Sequence, residues 1–428
     1  MTALLIRGGR VVDPSQGLDE TRDVLIEDGR ISQVAPAISA PAGAEVLDAV
    51  GLVVAPGFID PHVHLREPGQ EYKETVATGT KAAAAGGFTA VACMPNTRPV
   101  NDERSVTELI LTQAARAGFA RVYPVAAATK GSKGEEMAEI GELVDAGAVA
   151  VTDDGLPIAH PELLRRLFLY TRHFGIPVMQ HAEDLKLTGD GVMHEGVWST
   201  RLGVPGIPSS AEDVMVARDL ILLEDTGGRY HLQHLSSARS LELVRQAKAK
   251  NLAVTCEASP HHLLLTDQAV ADTEFSTDVK MKPPVRSEAD RQALIQGLQD
   301  GTIDCIATDH APHHVDEKDV EFQVAPFGIV GLETAVSLCL DRLVHTGLIS
   351  LSRLVELMST NPAKLLGVPG GTLAPGSVAD VTLLDLDAPV TVDKTTFHSK
   401  GKNTPFHGWT LRGKAVGTIL GGRRVVVG

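Results

Sequence analysis

The chain predicts an α/β fold: a closed (β/α)8 TIM barrel carrying a small β-sandwich-like domain built from both chain termini. Three observations predict it. Through the middle of the sequence, short β-branched or apolar runs alternate with amphipathic or Ala/Leu-rich stretches, mostly about 30 residues apart, the length of one strand-plus-helix repeat. Eight such runs can be counted, which favours a closed barrel over an open doubly wound sheet. The two ends of the chain instead have the texture of short strands and turns, and neither looks able to bury a core alone.

Taken in order, residues 3–6, 11–12, 24–27 and 31–34 are strand candidates, punctuated by Gly8-Gly9, Asp13-Pro14 and Asp28-Gly29. The barrel strands are expected at 58–64, 88–94, 121–127, 148–152, 176–181, 230–234, 252–257 and 303–309. Helices are expected at 73–85, 105–117, 161–174, 211–224, 238–250 and 288–298, with 184–210 an insertion after the fifth strand. The strand-and-turn texture returns at 379–385, 390–392 and 414–427, with turns at Pro375-Gly376 and Gly421-Gly422. The expected organisation is therefore 1–55 and 366–428 for the two parts of the small β domain, and 56–365 for the barrel.

Composition narrows the function. Hydrophobic residues make up 43% of the 428 residues but aromatics only 4%, so aliphatic side chains must fill the core. A net charge of −15 argues against a general nucleic-acid or anionic-membrane surface. The four cysteines, Cys93, Cys256, Cys305 and Cys339, are far apart and read as buried small hydrophobes. The sequence Met1-Thr2-Ala3-Leu4-Leu5-Ile6-Arg7-Gly8 has too short an apolar core for a signal peptide, and no run of about 18 apolar residues could span a bilayer. The expectation is a cytoplasmic protein acting on a small molecule, with no nucleic-acid or membrane partner. Neither a GxGxxG nor a Walker-type phosphate loop is present.

Metal-binding side chains recur at the ends of the strand-like runs. In Phe58-Ile59-Asp60-Pro61-His62-Val63-His64-Leu65-Arg66, strand alternation lets His62 and His64 grip one ion side by side. Asp154, His181, His234 and Asp309 each follow a later run, where a barrel builds its active site. Four imidazoles and two carboxylates suit Zn, Mn or Co better than Mg or Ca. Six ligands exceed one catalytic zinc and suit two ions sharing a bridge, with Asp154 between the halves of the set and a hydroxide as the shared water. Asp309 would take a proton from that water and hand it to a leaving nitrogen. A single histidine at a strand end is more often a hydrogen-bonded structural residue, and Asp153-Asp154 also reads as a turn or helix cap; an HxH pair has few structural reasons to exist.

With HVHLR, MPNT, TDDG, HAED and ATDHAPH in this order, the chain resembles the dihydroorotases of the amidohydrolase superfamily, and more specifically the type I bacterial group. The resemblance covers nearly the full length. It implies a binuclear zinc enzyme that reversibly cyclises N-carbamoyl-L-aspartate to (S)-dihydroorotate and water, the third step of de novo pyrimidine (UMP) biosynthesis. It also implies that His62, His64 and Asp309 bind one Zn2+, that His181 and His234 bind a second, and that Asp154 bridges them. Arg66, Asn96 and His313 fall on positions that hold the substrate carboxylate, beside His64. Arg66 is also placed by alternation on the strand face of His62 and His64, and a guanidinium suits a carboxylate. The backbone of Phe327 and Gly328 falls on a loop that contacts the pyrimidine ring. Lys282 stands where relatives often have an asparagine before paired prolines, and would touch substrate with a charge or point away. A homodimer, able to associate with aspartate transcarbamoylase, is what relatives suggest.

Two other readings remain open at this point. Hydantoinases, dihydropyrimidinases and allantoinases share the barrel and HxH, but usually bridge their metals with a carboxylated lysine and need no carboxylate clamp; no lysine lies in the fourth run here. An inactive dihydroorotase-like scaffold would be expected to lack ligands, whereas all six positions are filled.

Overall fold

The computed structural model describes residues 3–427. Eight parallel strands form the barrel wall: Phe58–Val63, Phe88–Cys93, Arg121–Ala127, Ala150–Thr152, Val178–Gln180, Tyr230–Leu232, Val254–Ala258 and Cys305–Ile306, each beside the next in chain order. Every one falls on an expected run, most of them trimmed by a few residues. The eighth strand meets the first through contacts just past the strand ends. Val63 bridges His310 in parallel, His64 N–H donates to His310 O at 2.8 Å, and buried Asp60 accepts the Thr308 hydroxyl at 2.6 Å.

Alternation sorts the strand residues between two cores. In Phe88–Cys93 all six are buried. Ala90 and Ala92 join Ile59, Val125, Ala150, Met179 and Cys305 in one cluster, while Val91 and Cys93 join the larger cluster that also takes in the helices. Small alanines let opposite walls approach, so the barrel is a packed core rather than a pore. Helices follow the first seven strands at Val76–Ala85, Arg104–Ala117, Ile140–Ala146, Pro161–Thr171, Ser210–Thr226, Ala238–Ala249 and Glu288–Asp300. Thr75, Ser237 and Ser287 cap three of them by accepting an N–H of the first turn. Ile140–Ala146 is not among the helices expected from sequence; at seven residues it is too short to show a helical period. The insertion after the fifth strand folds as two short helices and a small parallel pair, Met193–His194 with Gly206–Ile207.

The ends of the chain share one sheet. Its order runs Arg423–Val425, Thr410–Leu420, Val381–Thr391, Val53–Pro56, Ala3–Asp13, Leu18–Glu27 and Arg30–Ala35, with Glu45–Asp48 alongside Ala3–Asp13. The seam is the antiparallel pairing of Val381 with Pro56 through Leu384 with Val53. Residues 3–6 and 11–12 are one continuous strand: Gly8-Gly9, which reads as a turn, is a register break between Ile6 and Gly9, with Gly8 at φ +70°. Gly57 passes the chain from this sheet into the barrel. A Cβ there would lie 2.2 Å from Thr89 Oγ1, so only glycine fits. All four cysteines are buried and unpaired, as expected. Among the described residues, no helix is long and apolar enough to cross a membrane.

Candidate active site

The residues singled out from sequence come together at the barrel mouth. His64, Arg66, Asn96, Asp154, His181, His234, Lys282, Asp309, His313, Phe327 and Gly328 all line one cavity of about 360 Å³, and His62 lies fully buried beside them. That volume is at the small end of ligand sites. In each of two donor groups, one ligand atom per residue lies within 4.8 Å of the others: His62, His64 and Asp154, and Asp154, His181 and His234. Asp154 belongs to both. Its Oδ2 lies 3.4 Å from Nε2 of His62 and 3.4 Å from Nε2 of His64, while Oδ1 lies 3.6 Å from His181 Nδ1 and 3.5 Å from His234 Nε2. Asp309 Oδ1 stands 3.4 Å from His62 Nε2 and 3.2 Å from His64 Nε2.

These donors fit divalent cations. Tetrahedral coordination at about 2.0–2.1 Å puts neighbouring ligand atoms about 3.3–3.4 Å apart, close to the spacings around Asp154. His62 Nε2 and Asp154 Oδ1 are buried with no hydrogen-bond partner, an arrangement that a bound cation would resolve. The electrostatics agree. Burial pushes the His62 imidazole down, but Asp154, Glu257 and Asp309 outweigh it and hold its pKa well above the ordinary value. Burial likewise opposes His181, yet Asp154 and Glu183 raise it to about 9. Burial would raise Asp154, and His62, His181 and His234 overcome it, keeping the carboxylate ionised. At His62 and His181 the cradle thus favours positive charge, whereas burial, first, and Arg66 lower the His64 imidazole.

Three of the four imidazoles are aimed by their second nitrogen. His62 Nδ1 meets Glu257 Oε1 at 2.6 Å, and Glu257 Oε2 meets His231 Nε2 at 3.0 Å. His64 Nδ1 meets Asn96 Oδ1 at 2.9 Å. His181 Nε2 meets Glu183 Oε2 at 3.1 Å, and the same oxygen takes Lys282 Nζ at 3.0 Å. Such partners fix the tautomer and ring orientation of a metal ligand. Glu257 and Glu183 were not singled out from sequence. The signal for Glu257 was a lone acid inside the apolar strand Val254–Ala258; for Glu183 it was the two-residue spacing from His181.

On the same cavity, Arg66 is 8% exposed and donates from Nε to Pro312 O at 3.3 Å. Among the described residues no carboxylate lies within ion-pair distance of it. His313 is pushed down to about 3 by burial and then by Arg66, Lys73 and Lys318, so it is neutral. Its Nε2–H donates to Phe327 O at 2.9 Å. Gly328 N–H donates to Lys280 O at 2.9 Å, so that amide is already engaged. Lys282 lines the cavity, but its ammonium is turned to Glu183.

One placement differs from expectation. The first strand ends at Val63, and Arg66 takes the left-handed conformation, φ +61°, so it reaches the cavity through a turn and not by alternation along the strand. His234 (φ +32°) and Asp309 (φ +49°) also leave their strands this way. Three non-glycine residues in this region carry strain of order 1–3 kcal/mol each, and all three face the site.

Comparison with known proteins agrees with this geometry. Residues 51–240 match the family model described as dihydro-orotase-like, and residues 330–426 match an amidohydrolase family model. The dihydroorotase of Anaeromyxobacter sp. (strain K) is 57% identical over 99% of this chain and 97% of its own length. That of Geobacter metallireducens is 54% identical over 99% of both chains. Among solved structures, the L-hydantoinase (dihydropyrimidinase) of Arthrobacter aurescens superposes with a TM-score of 0.88 at 27% identity, covering 100% of this chain and 96% of that one. The dihydropyrimidinase of Brevibacillus agri gives 0.84 at 25% identity, over 99% and 95%. More than half identical to dihydroorotases from end to end, with a His/Asp cradle at the mouth of a (β/α)8 barrel, the chain belongs to the dihydroorotase family of metal-dependent amidohydrolases.

Proposed function

We infer that the chain is a dihydroorotase, closing N-carbamoyl-L-aspartate to (S)-dihydroorotate and water and running the reverse, in pyrimidine biosynthesis. The observation that carries this over a hydantoinase is Arg66: a buried guanidinium on the same cavity as the cradle, with no carboxylate of the described residues within ion-pair distance. A buried charge without a partner costs several kcal/mol, and a substrate carboxylate would offset it. Neither a hydantoin nor dihydrouracil carries that carboxylate at the ring.

We assign two zinc ions, one to His62, His64 and Asp309 and one to His181 and His234, with Asp154 shared. The support is the pair of donor groups meeting at Asp154 and their nitrogen-rich chemistry. When bound, two such ions lower the pKa of the water between them and polarise a carbonyl oxygen. Every other task falls to side chains. Arg66 receives the ring carboxylate, with Asn96 and His313 beside it and the Phe327-Gly328 backbone against the ring. Asp309 moves the proton: its Oδ1 faces His64, and its Oδ2 accepts no hydrogen bond from the described residues. In ring opening its carboxylate takes the proton of the attacking water and gives it to the departing amide nitrogen. In closure it takes the proton of the ureido nitrogen and gives it to the leaving water, as microscopic reversibility requires. Burial would raise the Asp309 pKa, but His62 and His64 outweigh it, so the group starts as the base.

The finer assignments belong to the same reading. Asp154, in place of a carboxylated lysine, supports the type I group. The division at 1–55, 56–365 and 366–428 is supported by separate clusters, with Leu4, Ile6, Val24, Val381 and Ile419 packed together apart from the barrel, which also supports a sandwich-like terminal domain. A cytoplasmic homodimer able to associate with aspartate transcarbamoylase follows from the family resemblance alone. The test is ring opening of (S)-dihydroorotate, dihydrouracil and allantoin by one preparation, with metal per chain measured on the same sample. Turnover confined to dihydroorotate with two zinc ions is expected; preference for dihydrouracil would overturn the assignment.

A further inference from the structure

One side chain packed directly behind the cavity wall comes from neither a barrel strand nor the cradle. Asn403 lies in the segment joining Val381–Thr391 to Thr410–Leu420 and is 4% exposed. Its Oδ1 accepts His313 N–H at 3.1 Å, and its Nδ2 donates to Ala311 O at 3.0 Å and to Gly328 O at 3.0 Å. An amide has one carbonyl and two N–H groups, and all are engaged. The orientation is forced, because a flipped amide would aim Nδ2 at the His313 N–H. The Asn403 backbone carbonyl also accepts Val330 N–H at 2.9 Å.

These bonds fall on the two loops that carry His313 and the Phe327-Gly328 backbone. The loops already meet deeper down, where His310 bridges Ile329. Asn403 ties them again one step nearer the cavity. It can do so because its own segment is anchored. Glu333 accepts His398 N–H at 2.7 Å and Ser399 N–H at 3.1 Å, buried Glu74 accepts the Ser399 hydroxyl at 2.5 Å, and Gly401 packs on Pro312 where a Cβ would lie 2.6 Å from Pro312 Cβ.

We propose that Asn403 is a positioning residue for substrate binding, setting the separation of the His313 loop and the Gly328 loop so that carboxylate and ring are received together. This rests on reading Arg66, Asn96 and His313 as the carboxylate clamp. Asn403 touches neither substrate nor metal ligands, so its removal acts on KM ahead of kcat. In the zinc-loaded enzyme, Asn403→Ala is expected to raise KM for dihydroorotate about tenfold while kcat falls less than about threefold and zinc content holds. Asn403→Asp keeps the volume and the acceptor but loses both donors, toward Ala311 and toward Gly328, and carries the same expectation should the alanine variant fail to fold. Because Asn403 acts through the His313 loop, Asn403→Ala with His313→Asn should raise KM by less than the product of the single effects. An unchanged KM in His313→Asn overturns the clamp reading itself. A raised KM there, with KM unchanged in folded Asn403 variants or multiplicative in the double variant, overturns the positioning role alone.

Discussion

The two halves of the cradle use the same device in different surroundings. In the inner half, His62 is fully buried and backed by Glu257, which is fully buried too and shared with a second imidazole, His231. The cation nearest that half, Arg66, makes no direct ion pair among the described residues and feels Asp309 and Asp154 only at longer range. In the rim half, His181 is backed by Glu183, whose other partner is Lys282, with a side chain 23% exposed. Burial opposes both carboxylates, yet His62 and His231 in one case, and His181 and Lys282 in the other, bring each down to about 2. The difference teaches where the protein leaves work for its ligands. The rim half neutralises its own cation; the inner half leaves a guanidinium without an ion pair among the described residues, free for the proposed substrate carboxylate, and holds Asp309, the proposed proton-transfer group.

The largest expected effect breaks the inner half alone. Asp309→Asn removes the proton acceptor but keeps the shape, and kcat should fall about a thousandfold in both directions with bound metal retained, as measured by steady-state assay and metal analysis. Normal turnover would take Asp309 out of the mechanism. Next comes the contrast between the two cations. Arg66→Met should raise KM for dihydroorotate about a hundredfold, the scale of losing a buried charge partner. Lys282→Met should change it only a few-fold, since that ammonium is already paired. Equal effects would erase the distinction between the halves.

The carboxylates behind the imidazoles offer a smaller and sharper test. Glu257→Gln should weaken the inner ion about 10- to 100-fold in competition with a chelator, because no water can replace a partner held at zero exposure. Glu183→Gln should cost the rim ion less, as this carboxylate stands nearer solvent. The reverse order would mean that depth does not govern retention.

Much of this was legible in sequence because the signals are local. Strand runs, the HxH pair and single acids or imidazoles at run ends depend on period and composition, and they anticipate the eight strands and the gathering of five cradle residues on the cavity with His62 buried beside them. What was not legible depends on contacts across long sequence distances. Glu257 behind His62 is separated from it by 195 residues, and Asn403 from His313 by 90. Arg66 was expected in the right place by the wrong route, since alternation does not anticipate the left-handed turn after Val63. Gly8-Gly9 reads as a turn in sequence because two glycines do not distinguish a bulge from a chain reversal.

A third carboxylate sharpens the comparison by lacking an imidazole. Glu333 accepts two backbone N–H groups from His398 and Ser399, but burial outweighs them and raises its pKa from 4.5 to about 7. The sign follows from proton uptake. Below about pH 4.5 folded and unfolded chains are both protonated at this group, so it is neutral for stability. Between 4.5 and 7 the folded chain keeps a proton that the unfolded chain has released, so stability falls as pH rises, by at most on the order of 3 kcal/mol, and the loss is complete above about pH 7. Glu333→Gln removes this slope. Denaturation of both proteins at pH 5 and pH 8 should therefore show the variant gaining on the parent at the higher pH, by about 1–2 kcal/mol once partial solvation is allowed for. Parallel behaviour at the two pH values would mean that the N–H donors suffice. A buried carboxylate could then remain ionised without the imidazoles that Glu257 and Glu183 enjoy.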